Sequence, residues 1–142
     1  MARNNRFTNR IKQPPKEEEI RIQAAPEFKD SPEQRPPEFS LRYLQNGYCV
    51  NCCQREEKAA LADTLFRLSQ LTWAQIKNIG RHGNGFEKIA RNSIKAPIPP
   101  HVSEDVDLIA FRFCSMAPMV GYRREATFFI LWLDRAFTLY RH

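Results

Sequence analysis

Three apolar runs set close together near the end of the chain, Asp107–Ser115, Met119–Arg124 and Ala126–Leu133, constrain its fold more than any other feature. Antiparallel neighbours can be joined by a tight turn, whereas parallel neighbours need a long crossover, so residues 107–133 are expected to form a three-stranded antiparallel meander. A turn is expected at Pro118, and Arg124-Glu125 turns the chain into the third strand. Phe128-Phe129-Ile130-Leu131-Trp132-Leu133 has no polar break, which fits a central strand covered by other elements. The meander closes on Tyr140-Arg141-His142.

The cover is read from a helix hairpin upstream. Gln54–Ser69 places Leu61, Leu65 and Leu68 at helical spacing, with Glu56 and Glu57 in the first turn, where the helix dipole favours acids. Thr72-Trp73-Ala74-Gln75 fits a capping box, so a second, short helix is expected over Trp73–Ile79 before Gly80 and the His82-Gly83-Asn84-Gly85 stretch. Before the hairpin, Phe39, Leu41 and Tyr43 alternate with Ser40 and Arg42, a strand period that ends at Leu44 and the Gln45-Asn46-Gly47 turn. Residues 86–94 show no clean period, and Pro97, Pro99 and Pro100 impose an extended connection, so this stretch reads mostly as loop. The order β, α, α, β, β, β gives an α+β fold: an N-terminal strand, a two-helix hairpin and a three-stranded antiparallel meander packed on the helices.

Residues 1–37 differ in kind. They hold 6 of the 10 prolines and only scattered large apolar side chains, too few to offset the entropy of ordering, so a disordered, charged tail is expected there and one folded domain over 38–142. Ile20-Arg21-Ile22-Gln23 is a short segment that a partner could order. The charge divides unevenly: residues 1–38 carry a net +1, leaving +5 of the total +6 on the folded part. A basic domain attracts polyanions, which makes RNA a candidate partner. The longest apolar run is far short of the roughly 18 residues of a membrane helix, so no membrane contact is expected. The basic start Met1-Ala2-Arg3-Asn4-Asn5-Arg6 leads into polar residues rather than an apolar stretch, so a cytoplasmic location is expected.

Gly121-Tyr122-Arg123, the apolar strand after it, the terminal Tyr140-Arg141-His142 and the element order resemble the RelE/YoeB/HigB-like toxins of bacterial toxin–antitoxin systems, over roughly residues 38–142. The long proline-rich tail and the segment 96–100 depart from that pattern. The resemblance implies a compact fold that cleaves messenger RNA on the ribosome, without metal or other cofactor, and that is held in check by an antitoxin protein. Its catalytic set would fall on Arg112, Arg123, Tyr140 and His142, with Glu87 or Lys88 as an added acid or base. Lys88, Arg91, Arg124 and Arg141 would then contact RNA. Chemically, strand cleavage by the neighbouring 2′-hydroxyl needs a base, cations on the phosphate and an acid for the leaving oxygen. Histidine suits both proton roles, and arginine clamps phosphate through two hydrogen bonds.

The bland alternative is that Arg112 and Arg123 are solvated strand residues paired with Glu125 or Asp134, with Tyr140 packed at the sheet edge and His142 frayed. The chain would then be a non-enzymatic or nucleic-acid-binding module that docks on a larger assembly through its tail and basic sheet. Cys49-Val50-Asn51-Cys52-Cys53 opens a further alternative. Cys49 and Cys52 are half a zinc site, which Cys53, Cys114, His82 or His101 would complete. The same spacing also fits a redox pair or plain reduced thiols. Trp73, Trp132, Phe128 and Phe129 are assigned to the core, and Tyr48 and Tyr122 to the surface.

Overall fold

Local capping sets both helices where the sequence places them. The structure, a computed structural model, describes residues 31–80 and 85–141. Helix α1, Arg55–Ser69, starts after Gln54, whose N–H donates to the Glu57 carboxylate at 2.7 Å. Helix α2, Trp73–Ile79, starts at Thr72: the Gln75 N–H donates to the Thr72 hydroxyl at 3.2 Å and the Thr72 N–H to the Gln75 side chain at 2.9 Å. Each exchange satisfies donors that a helix start leaves open. Among the described residues no helix is long and apolar enough to cross a membrane.

The fold is α+β, but its sheet has five strands. They are β1 (Glu38–Ser40), β2 (Glu87–Ile89), β3 (Leu108–Cys114), β4 (Ala117–Arg124) and β5 (Thr127–Leu133), in the order β1-β5-β4-β3-β2. Strand β1 runs parallel to β5, and the other pairs are antiparallel. The meander therefore has four strands rather than three. Glu87–Ile89, expected as loop, becomes a strand by pairing with Leu108–Ala110, a non-local contact that three residues cannot announce by periodicity. Nor does Pro118 make the turn. Ser115 and Met116 do, with Ser115 at φ 50°, while Pro118 lies inside β4 beside a register shift at Arg112/Cys114. Proline lacks an N–H and is tolerated in a sheet at such irregular positions.

One face of the sheet takes the helices. Leu61, Leu68, Trp73 and Ile76 pack on Ile109, Phe111, Met119, Phe128 and Ile130. The Trp73 indole N–H donates to the Ala126 carbonyl at 2.9 Å, fixing α2 on the β4–β5 turn. The other face is covered as well. Val102, Leu139 and Tyr140 are buried on Val120, Tyr122, Leu131 and Trp132, with Ile94 and Ile98 partly buried beside them. The proline-rich connection is thus a cover layer. A bulge at Val120/Gly121 puts both Leu131 and Trp132 on this outer face. Glycine is required there: a Cβ at Gly121 would overlap the Phe129 carbonyl oxygen.

The expected tail boundary at residue 37 also moves. Residues 1–30 lie outside the described residues, but Pro32–Gln34 forms a 3₁₀ turn docked on α2. Glu33 pairs with Lys77 at 2.9 Å and Arg123 at 2.7 Å, and the Trp73 N–H donates to the Arg35 carbonyl at 3.0 Å. Ion pairs and a backbone bond anchor a segment whose composition alone reads as unstructured.

Candidate functional site

Of the expected catalytic residues, Arg112, Glu87 and Tyr140 come together on the outer face. Arg112 sits two residues beyond Ala110, which pairs with Glu87 across β2 and β3. Its Nη2 donates to Glu87 Oε1 at 3.0 Å and its Nη1 to the Met116 carbonyl at 2.7 Å. Tyr140 is 6% exposed. Burial pushes its phenol above the ordinary value, and the charge and hydrogen bond of Arg112 oppose that shift. The buried Asp134 accepts the N–H groups of Thr138 and Leu139 at 2.9 and 3.1 Å, shaping the turn that delivers Tyr140. A phosphate would have to displace Glu87 to reach Arg112, so this network reads as packing rather than as an anion receptor.

Arg123 is not part of that group. It points to the helix side, its Cζ 4.2 Å from the Trp73 ring centre, with Nε donating to the Glu125 carbonyl at 2.6 Å and Nη1 on Glu33. Sheet alternation separates it from Arg112, because β3 and β4 present these two residues to opposite faces. His142 lies outside the described residues, as does His82. Among the expected RNA contacts, Arg91 is spent on the carbonyls of Val102 and Ser103, both at 2.7 Å, and Lys88 forms an exposed pair with Asp107 at 3.2 Å. Arg124 and Arg141 are exposed.

The cysteines do not converge as a zinc set. Cys49 and Cys52 face each other with Sγ atoms 3.8 Å apart, Cys53 is buried in the core, and Cys114 ends β3. Among the described residues no three His, Cys, Asp or Glu side chains form a group able to hold a metal ion.

A different cluster stands on the outer face near the β4–β5 turn. Pro99-Pro100-His101-Val102 forms a turn closed by the Val102 N–H on the Pro99 carbonyl at 3.0 Å, with proline at the second position, where its fixed φ favours turning. Val102, 2% exposed, anchors the turn in the core, Arg91 clamps its far side, and His101 is left at the exposed tip. The imidazole lies 4.3 Å from the Tyr43 ring centre and 5.8 Å from that of Tyr122. Tyr122 in turn stacks on Phe129 at 4.9 Å and an interplanar angle of 11°.

Two guanidiniums flank these rings. Arg42 sits 5.5 Å from the Tyr43 ring centre, brought there by a turn in which its N–H donates to the Ser40 hydroxyl. Arg124 is near enough to Tyr122 to oppose the upward push that burial and Tyr43 give its phenol. Among the described residues neither arginine forms an ion pair, although Glu38 and Thr127 share a sheet row with Arg124. Tyr122, expected at the surface, is 8% exposed and serves as the floor under His101. The sequence carried one sign of this site, a histidine at the tip of a proline turn, which the zinc reading absorbed as a spare ligand.

No model of a known protein family matches this chain, and no curated protein or solved structure matches it either.

Proposed function

We propose that this protein acts on RNA through the outer-face cluster, as an endoribonuclease whose base is His101 and whose phosphate clamps are Arg42 and Arg124. The observation that carries the reading is an exposed imidazole seated on tyrosines between two arginines that have no carboxylate partner among the described residues. Single-stranded RNA is gripped by base stacking on aromatic and guanidinium planes together with cations on the backbone, and this surface offers both. In the cleavage step the imidazole takes the proton of a 2′-hydroxyl, whose oxygen attacks the adjacent phosphorus. The bond to the 5′-oxygen breaks, and that oxygen recovers the proton from the imidazolium, leaving a 2′,3′-cyclic phosphate and a 5′-hydroxyl. The arginines hold the charge that builds on the phosphoryl oxygens. Ribosome dependence and restraint by an antitoxin belong to the toxin resemblance and enter the proposal on that footing.

A binding module without catalysis is the second reading. It is favoured by the fact that, among the described residues, the cluster holds a single imidazole for the two proton transfers. Induced expression in a bacterial host separates the two. Growth arrest with messenger-RNA cleavage by the wild-type chain, abolished in His101→Gln while RNA affinity is kept, supports the nuclease. Intact messenger RNA with both chains folded and binding RNA supports the module.

A further inference from the structure

The Cys49-Val50-Asn51-Cys52 turn is left unused by the RNA reading, and its geometry is specific. The Cys49 and Cys52 Sγ atoms lie 3.8 Å apart, against a disulfide bond of about 2.05 Å. The Cys52 N–H donates to the Cys49 carbonyl at 3.1 Å, closing a four-residue turn around the 3₁₀ segment Val50–Cys52. Such a turn holds its end Cα atoms within about 7 Å, and disulfides span Cα separations up to about 6.8 Å. The backbone is therefore already near a bridged shape, and side-chain rotation covers most of the remaining gap.

We infer that Cys49 and Cys52 form a dithiol–disulfide couple that exchanges with small external disulfides of the glutathione class. In the first step the Cys49 thiolate attacks one sulfur of the external disulfide and expels one thiolate, which is protonated in water. Cys52, after losing its proton, then attacks the Cys49 sulfur of the mixed disulfide and expels the second thiolate. The protein dithiol is oxidised by two electrons and the external disulfide is reduced to two thiols.

The surroundings assign the roles. An N–H at Asn51, followed by the Cys52 thiol, holds the Cys49 thiol below its ordinary value, which favours the nucleophilic thiolate. Cys52 is exposed and opens on a cleft bounded by Gly47, Tyr48 and Arg135, where the second attack has room. Cys53 is set apart: burial first and the Glu57 charge second push its thiol up, and it sits in the core. The Tyr48 carbonyl accepts the Leu133 N–H at 2.8 Å, so the couple lies on a loop tied to the end of β5.

The test uses the full reduced chain incubated with oxidised glutathione and followed by intact mass and peptide mapping. The wild type is expected to lose two hydrogens and to yield a peptide linked between Cys49 and Cys52. Cys52→Ser, a change at an exposed position, is expected to stop at a single glutathione adduct on Cys49 that the wild type does not accumulate. A wild type that keeps its mass, a link that includes Cys53 or Cys114, or a Cys52→Ser chain with no adduct at Cys49 would each overturn the assignment.

Discussion

Arg123→Ala separates the structural reading of that residue from the catalytic one suggested by the sequence. In the fold its guanidinium lies on Trp73 at 4.2 Å, donates to the Glu125 carbonyl at 2.6 Å and pairs with Glu33 at 2.7 Å, with 18% of the side chain exposed. A hydrogen bond from a charged group contributes about 1.5–3 kcal/mol, and a largely desolvated cation–π contact about 1–2 kcal/mol. The Glu33 side of the pair is 38% exposed, so solvent screening holds it to less than about 1 kcal/mol. These contacts share one side chain and do not add in full, which puts the loss near 3 kcal/mol. With a urea m-value of roughly 1.5 kcal/mol/M the unfolding midpoint falls by about 2 M. Arg123→Lys keeps the charge but not the planar stacking, and is expected to lose about half as much. The assay is urea unfolding followed by tryptophan fluorescence, with RNA cleavage measured below the transition. A midpoint within about 0.3 M of wild type together with lost cleavage would refute this reasoning and return Arg123 to the chemistry.

The carboxyl of Glu33 is held below its ordinary value, first by its hydrogen bond with Lys77 and then by Arg123, and that of Glu57 first by the Gln54 N–H and then by Arg135. A lowered carboxyl stabilises the fold above its unfolded value, near pH 4.3, and that contribution fades as pH falls through the folded value. Melting temperature is therefore expected to drop below about pH 4.5, more gently in Glu33→Gln; identical acid profiles for the two chains would contradict the anchoring of Glu33 on Lys77 and Arg123. Gly121→Ala drives a Cβ into the Phe129 backbone at the bulge, so a loss of about 3 kcal/mol or more is expected by calorimetry, and an unchanged melting temperature would show that β4 and β5 are not packed this way.

What the sequence made legible is what short-range chemistry determines. The capping box at Thr72 and the leucines of α1 placed both helices, and the apolar runs located three strands of the meander. Illegible were features set by partners far along the chain. Strand β2 exists because β3 pairs with it, and β1 adds to β5 across the whole hairpin. The face on which Arg112 and Arg123 emerge depends on register, and register depends on which residues turn; a turn at Pro118 in place of Ser115 and Met116 hides their separation. His101 was visible as a residue but not as a site, since Tyr43 and Tyr122 reach it from separate parts of the chain, with Phe129 packed against both tyrosines.

The most direct test of the central claim is a fluorescence-anisotropy titration of single-stranded RNA across a salt series, comparing wild type with Arg42→Ala/Arg124→Ala and with Lys88→Ala on edge strand β2. Each phosphate contact to a single strand contributes about 0.7 to the slope of log affinity against log salt. The double variant is predicted to bind at least about tenfold more weakly at low salt, with a slope flatter by about 1.4, while Lys88→Ala stays near wild type. Equal affinities and equal slopes for wild type and the double variant would contradict an RNA site on this face.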